Sequence, residues 1–297
     1  MEKIDIIKSI SERTGGDIYL GVVGAVRTGK STFIKKFIEN LVVPNIEDEY
    51  ERKRCLDEIP QTAQGKTIMT IEPKFVPSTA AKIKVEEFET NIKLVDCVGY
   101  VIPAAKGYED EMGEPRMVKT PWYDEDIPFV EAAEIGTEKV IRDHSTIGIV
   151  VTTDGSIGDI TRNNYIEAEN EVISELKEIG KPFIVLLNSA HPTLPETERL
   201  AEKLKEEHNV PVIPISAETM NEKDVYNILK EALYEFPVLN VKVDIPDWIG
   251  TLNPNHPIKK VYIDQIRECV VEVDKLRDVD SINKHFKQCD QIEKAYM

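Results

Sequence analysis

The sequence predicts an α/β fold: a P-loop NTPase three-layer sandwich with a smaller C-terminal α+β extension. Three observations carry that expectation. Continuous apolar runs of strand length alternate with amphipathic helical stretches between residues 17 and 235, the signature of a parallel sheet covered on both faces. Gly24-Ala-Val-Arg-Thr-Gly29-Lys30-Ser31 matches the phosphate-loop pattern G-x-x-x-x-G-K-[ST] in full, between an apolar run and a helical one. Asp96-Cys-Val-Gly99 closes another apolar run, where such a fold needs a carboxylate to hold a metal ion.

The elements follow in order. Residues 4–13 read as a short helix closed by Gly15-Gly16. The run 17–24 is rich in strand formers and ends in glycine, and 30–40 shows helical periodicity through Phe33, Ile34, Phe37 and Ile38. Strands are expected at 91–96, 146–152, 183–188 and 211–215, with helices at 128–143, 164–179, 193–207 and 222–235. Gly180 and Pro182 mark the end of the second of these helices. In open parallel sheets ligands sit at the carboxyl ends of the strands. Beyond Pro237 come a polar-patterned strand candidate at 238–245, a Pro/Gly/Asn-rich turn at 246–257 and a helix at 258–277. That helix places Tyr262, Ile266, Cys269, Val273 and Leu276 on one stripe, which suits packing on a neighbouring domain.

At 297 residues the chain has room for about two domains. Hydrophobic residues make up 41% and charged residues 31%, a composition of soluble globular proteins rather than of disordered or fibrous ones. Lys and Arg number 37 against 54 Asp and Glu, a formal charge of −17. So acidic a surface repels phosphate backbones and anionic lipid, which argues against nucleic acid as a partner. Cys55, Cys97, Cys269 and Cys289 are scattered without metal-ligand spacing and read as reduced thiols of a cytosolic protein. The histidines form no ligand pair either. No secretory signal opens the chain, and its apolar runs are far shorter than the roughly 18 residues a membrane span needs.

The phosphate-loop residue types have a mechanism. Gly24, Ala25, Val26, Arg27, Thr28, Gly29, Lys30, Ser31 and Thr32 are the expected nucleotide contacts. The glycines let successive backbone N–H groups turn toward phosphate oxygens at a helix N-terminus. Lys30 would reach the β- and γ-phosphates, and Ser31 would ligate Mg²⁺. Asp96 would hold that ion through a water, and the Gly99 N–H would face the γ-phosphate. Between the two motifs, Gln64-Gly-Lys-Thr67-Ile-Met-Thr70 offers a threonine to sense the γ-phosphate and complete the Mg²⁺ shell; Thr70 is the first choice and Thr67 the second. Either also fits an ordinary strand threonine.

Base preference is read from the end of the 183–188 strand. Guanine-specific relatives of this fold carry Asn-Lys-x-Asp there, and this chain has Asn188-Ser-Ala-His191, without the lysine or the carboxylate. Losing a reader of buried donors removes most discrimination for guanine, so ATP is favoured over GTP. Ser216-Ala217 after the next strand resembles the loop that backs the base. Tyr100 stands where Ras-like enzymes have a water-orienting Gln, so slow turnover is expected. Arg27 is a candidate to bring positive charge to the β–γ bridge in cis, the alternative being a solvated or loop-bound arginine. Residues 100–143 read as a long insertion at the second switch. In it Trp122 and Tyr123 suit either a partner or local packing on the insertion's own helix.

The stretch Glu12-Arg-Thr-Gly-Gly-Asp-Ile-Tyr-Leu-Gly-Val-Val-Gly-Ala-Val-Arg-Thr-Gly-Lys-Ser-Thr-Phe-Ile-Lys-Lys-Phe37 resembles the start of the stage IV sporulation protein A family, the spore-coat morphogenetic ATPases of endospore-forming bacteria. Gly65-Lys-Thr-Ile-Met-Thr70, Leu94-Val-Asp-Cys-Val-Gly-Tyr100, Gly107-Tyr-Glu-Asp, Thr120-Pro-Trp-Tyr123 and Glu231-Ala-Leu-Tyr-Glu-Phe-Pro237 are similar to it too. The resemblance implies a fold of the translation-factor GTPase-like class that hydrolyses ATP with Mg²⁺. It also implies that hydrolysis drives irreversible self-polymerisation into the basement layer of the spore coat. The expected setting is the mother-cell cytoplasm, on the outer forespore membrane, with a small amphipathic membrane-binding peptide and other coat proteins as partners. The family's Walker-A lysine, switch threonine and Walker-B aspartate fall on Lys30, Thr70 and Asp96; Ile71 stands where the family carries a second threonine. The implied organisation is an ATPase domain over 1–237 and the start of a middle domain over 238–297, in a chain that lacks the C-terminal contact to the membrane peptide. A GTPase switch and a nucleotide-binding scaffold with little turnover are the competing readings.

Overall fold

The computed structural model describes residues 3–282 apart from 61–72, 87, 98, 106–107, 110–112, 121, 272 and 280. The chain divides into two compact units, 1–232 and 233–297.

The first unit is a mixed α/β structure around a six-stranded sheet. Its strands are β1 (Asp17–Val23), β2 (Lys74–Val85), β3 (Phe88–Asp96), β6 (Ile147–Thr153), β7 (Phe183–Asn188) and β8 (Val212–Ile215), in the spatial order β2-β3-β1-β6-β7-β8. Two short strands, β4 (Met117–Val118) and β5 (Ile127–Pro128), form a separate ribbon. All neighbours in the main sheet are parallel except β2, which runs antiparallel to β3. Every residue of β6 and β7 is buried, as apolar strands covered on both faces must be.

Helices α1 (Lys3–Arg13), α2 (Lys30–Phe37), α3 (Glu49–Asp57), α4 (Phe129–His144), α5 (Ile166–Ile179), α6 (Pro195–His208) and α7 (Glu222–Tyr234) complete the unit. Val23, Val95, Val150 and Val185 pack with Phe129, Ala133 and Ile141 of α4 and Val172 and Leu176 of α5. Ile18, Leu20 and Val22 are equally buried and alternate with that set, so they point to the other face. Right-handed crossovers put α2 on that opposite side. With the strands parallel, Val23, Asp96, Thr153, Asn188 and Ile215 end at one margin of the sheet, and the site lies there.

Two expectations need correction here. Strand β2 was not expected. It is an edge strand holding Pro77, half-exposed along its length, and its register shifts between Val76 and Ala81, so it lacks the continuous apolar run of its neighbours. The segment 100–143 is not all insertion: from Phe129 onward it is α4, the crossover helix covering the sheet. Trp122 packs on that helix, 3.2 Å from the place where a Cβ on Gly136 would stand.

The second unit holds α8 (Asp247–Thr251) and α9 (Pro257–Val271). The expected strand at 238–245 does not form among the described residues. Leu239 is 83% exposed, and pairing nearby among the described residues amounts to an isolated bridge between Pro237 and Lys275 with the Val238 N–H donating to Asp274 O at 2.9 Å. Helix α9 stops at Val271 rather than 277; Lys275 and Asp278 then cap a short 3-10 turn, with Lys275 N–H donating to Asp278 at 2.8 Å. Cys269, Val273 and Ile282 form this unit's small core.

Candidate functional site

The loop between β1 and α2 wraps around the side chain of its own lysine. Lys30 is 6% exposed, and its ammonium donates to the carbonyl oxygens of Gly24 at 3.1 Å and Ala25 at 2.7 Å. Burial lowers its pKa, and the negative potential of Cys97 and Asp96 opposes that shift. Gly29, the residue before α2, has φ of +93°, and a Cβ on it would stand 2.3 Å from Asn188 Nδ2. Only glycine fits there. Thr28 closes the loop internally, its hydroxyl donating to Ala25 O at 2.9 Å.

Asp96 arrives from β3, whose register sets it opposite Val22 of β1. Its Oδ2 accepts from the Ser31 hydroxyl at 2.7 Å, while Oδ1 is buried with no hydrogen-bond partner among the described residues. Burial raises its pKa against the pull of Ser31, Lys30 and Lys74. Two hard oxygen donors, one with a buried lone pair unused among the described residues, at the N-terminal turn of α2 suit a Mg²⁺ ion. Gly99 completes the approach: a Cβ on it would lie 2.2 Å from Gly24 O and 2.4 Å from Lys30 Nζ.

Tyr100 straps the same loop from outside. Val26 N–H donates to its carbonyl at 2.8 Å, and its own N–H donates to Gly24 O at 3.2 Å. Its ring is 1% exposed, and its hydroxyl donates to Glu175 of α5. The position of the water-orienting Gln is thus occupied by a core residue. Arg27 has φ of 67° and makes no hydrogen bond or ion pair among the described residues. Its charge is felt at Tyr165. Thr32 follows Ser31 in the first turn of α2.

Asn188 joins three chain segments. Its Nδ2 donates to Thr28 O at 2.9 Å, and its Oδ1 accepts from Ala217 N–H at 3.0 Å. Ser216 is thereby held beside the loop. The two residues where Asn-Lys-x-Asp would place lysine and aspartate are Ser189, fully buried, and His191, exposed. The structure therefore brings Gly24, Ala25, Val26, Arg27, Thr28, Gly29, Lys30, Ser31, Thr32, Asp96, Gly99, Asn188 and Ser216 to one margin of the sheet. Thr70 and Thr67 lie outside the described residues. The sequence reading missed Tyr100 as a strap. It also missed the turn at Asp154 and Ser156 that backs the Asn188 loop; its only signal was Asp-Gly-Ser after a buried strand.

Comparison with known proteins follows the same lines. The family model for the stage IV sporulation protein A ATPase domain matches residues 1–237, and that for the middle domain of the same family matches residues 238–297. A stage IV sporulation protein A of Bacillus anthracis is 60% identical over 296 residues, 99% of this chain and 60% of the relative. One of Clostridioides difficile (strain 630) is 48% identical over 290 residues, 97% of this chain and 59% of the relative. The chain thus spans about three-fifths of the length of the curated relatives it matches. A crystal structure of an SsGBP mutation variant aligns at a TM-score of 0.40 and 18% identity, over 77% of this chain and 64% of that one. Among the described residues no helix is long and apolar enough to cross a membrane.

Proposed function

We propose that this chain, which belongs to the stage IV sporulation protein A family, is a Mg²⁺-dependent ATPase of the P-loop NTPase fold whose turnover drives self-polymerisation. The observation that carries the reading is the pairing of Ser31 with Asp96 at 2.7 Å, beside a buried Lys30 and with Asp96 Oδ1 unpartnered among the described residues. When bound, Mg²⁺ supplies a Lewis acid that neutralises charge developing on the β- and γ-phosphate oxygens.

The chain's own residues do the rest. Lys30, now held by two loop carbonyls, would exchange them for phosphate oxygens. The loop N–H groups and the α2 N-terminus bind the phosphates with preorganised dipoles. Ser31 and Asp96 would hold the metal, with Thr70 as the third ligand and sensor. Arg27, which makes no hydrogen bond or ion pair among the described residues, is available to the β–γ bridge in cis. Tyr100 contributes no water-positioning group, which fits slow turnover. Asn188 fixes the loop and Ser216-Ala217 back the base. Asp154, the carboxylate next to this loop, is bound by Ser156 and Thr197, and His191 stands where guanine-specific relatives carry the reading carboxylate, which favours ATP.

In the full-length protein the reading extends to the mother-cell cytoplasm at the forespore surface. Polymer there builds the basement layer of the spore coat, and a small amphipathic membrane-binding peptide and other coat proteins are partners. In domain terms, residues 1–237 hydrolyse ATP and 238–297 begin the middle domain. Phosphate release from ATP and GTP with Mg²⁺, in parallel with Lys30→Ala, tests the core of this. Release from ATP alone, abolished in the variant, supports it. Release from GTP at an equal rate refutes the adenine preference, and no release from either refutes the hydrolase.

A further inference from the structure

The loop between β6 and α5 carries no part of the phosphate-loop pattern, yet a chain of hydrogen bonds ties it to the turn after β7. Asp154 Oδ1 accepts from the backbone N–H of Ser156 at 2.9 Å and from its hydroxyl at 2.6 Å. With its only proton committed to the carboxylate, Ser156 Oγ can act only as an acceptor toward the next group. That group is Ala190 N–H, at 2.9 Å. Ser189 Oγ lies 3.3 Å from Ser156 Oγ and accepts from His191 N–H at 3.0 Å. Thr197 Oγ1 stands 3.3 Å from Asp154 Oδ2 and 3.2 Å from His191 O. The same loop reaches the phosphate side, where a Cβ on Gly29 would be 3.8 Å from Ile157 Cδ1.

We propose that Asp154 and Ser156 are positioning residues for purine recognition, holding the 189–191 turn where its backbone and that of Ala217 meet the nucleotide base. The inference rests on the nucleotide-binding reading above and deepens it. Ser189 is fully buried and engaged in the tie, so its side chain is not a base reader; the turn presents backbone groups instead. An ionised carboxylate accepts only, so it fixes the polarity of the whole chain of donors. Burial opposes the charge on Asp154, but the hydrogen bonds from Ser156 and Thr197, with the nearby Ser189 hydroxyl, outweigh it and hold the carboxyl below its ordinary range. The tie therefore persists at neutral pH.

The test is titration calorimetry of the whole chain with Mg²⁺ and either ATP or GTP, alongside melting curves and saturating-ATP turnover. The proteins are wild type, Ser156→Ala, Asp154→Ala and Asp154→Asn. Ser156→Ala, which removes the hydroxyl bonds to Asp154 and Ala190, and Asp154→Ala, which removes the acceptor of both Ser156 bonds, should each weaken ATP binding about tenfold through loss of the tie, with kcat changed less than about twofold. Asparagine still offers an oxygen to both Ser156 donors, so Asp154→Asn should recover binding to within about threefold of wild type. Unchanged binding in Ser156→Ala, or an Asp154→Asn as weak as Asp154→Ala, overturns the proposal. Should Asp154→Ala fail to fold, Ser156→Ala, which loses one hydroxyl, decides alone. A wild type preferring GTP would refute the ATP reading yet keep the positioning role, provided that Ser156→Ala weakens GTP equally. A wild type that binds neither nucleotide overturns both.

Discussion

Asn188→Ala should be the most damaging single change outside the phosphate loop itself. The asparagine is 4% exposed and spans the loop after β1, the end of β7 and the loop after β8 through its bonds to Thr28 O and Ala217 N–H. Thr28 is fully buried and Ala217 is 1% exposed, so water does not replace the lost partner. Each buried backbone group left unpaired costs about 1–3 kcal/mol. Two such groups, partly relaxed, give about 3 kcal/mol. For a unit of this size each kcal/mol moves Tm by about 2–4 °C, so the melting point should fall by about 6–12 °C. The change also removes the side chain against which Gly29 closes, so the loop loses its backing and ATP binding should weaken with stability.

Asn188→Asp separates the two ends of the side chain. It keeps an acceptor for Ala217 but faces the Thr28 carbonyl with a second acceptor, which only the protonated acid can satisfy. The introduced carboxyl would have its folded pKa raised, so its stability contribution is fully present below the unfolded value near 3.9 and lost as pH rises through the folded value. Differential scanning calorimetry at pH 7 and near pH 5 should show Asn188→Asp as weak as Asn188→Ala at the higher pH and recovering at the lower. If Asn188→Ala melts within about 1 °C of wild type, the reasoning that this residue clamps the site fails.

Two further outcomes follow from the same geometry. Asp96→Asn keeps an acceptor for Ser31 while discarding the charge on an unpartnered buried oxygen, so the metal-free chain should melt no lower than wild type, within about 1 kcal/mol, and lose its stabilisation by Mg²⁺ with ATP; a metal-free loss of stability would count against an oxygen reserved for a cation. For Tyr100→Phe the readout is the pH dependence of the urea midpoint. Burial raises Glu175 against the hydroxyl of Tyr100, which favours its charged form, and burial likewise raises Glu134. Stability from these groups is fully present below the ordinary value of 4.5 and lost as pH rises through their raised folded values. Removing the hydroxyl should steepen that loss, and an unchanged slope would show that the bond does not matter.

Much of the fold was legible because the central strands leave no choice. Runs such as 183–187, apolar throughout, have no solvent-facing side and read as buried strands from composition alone. What escaped was the periphery. Strand β2 mixes lysines, Pro77 and half-exposed positions, and its strand character comes from pairing with β3 rather than from its own pattern. Conversely, 238–245 alternates like a strand, but among the described residues its pairing stops at the Val238 N–H bond to Asp274 O beside a single bridge, and a pattern without a ladder is not a strand.

The same division runs through the site. Gly24, Gly29, Lys30 and Ser31 were legible because they act through backbone shape and short reach within eight residues of chain. Asp96 was legible as the end of a strand, since parallel registration with β1 leaves its carboxylate one place to go. Tyr100 and Asp154 act across distance. The tyrosine hydroxyl meets Glu175, 75 residues on, and Ser156 meets Ala190, 34 residues on. No local spacing encodes such contacts; they exist because the sheet brings its carboxyl ends together. The residues most easily read are thus those any phosphate-binding loop would need. Those particular to this chain, the buried Tyr100 and the Asp154–Ser156 tie, became visible only in three dimensions, and on them its turnover rate and base preference are expected to depend.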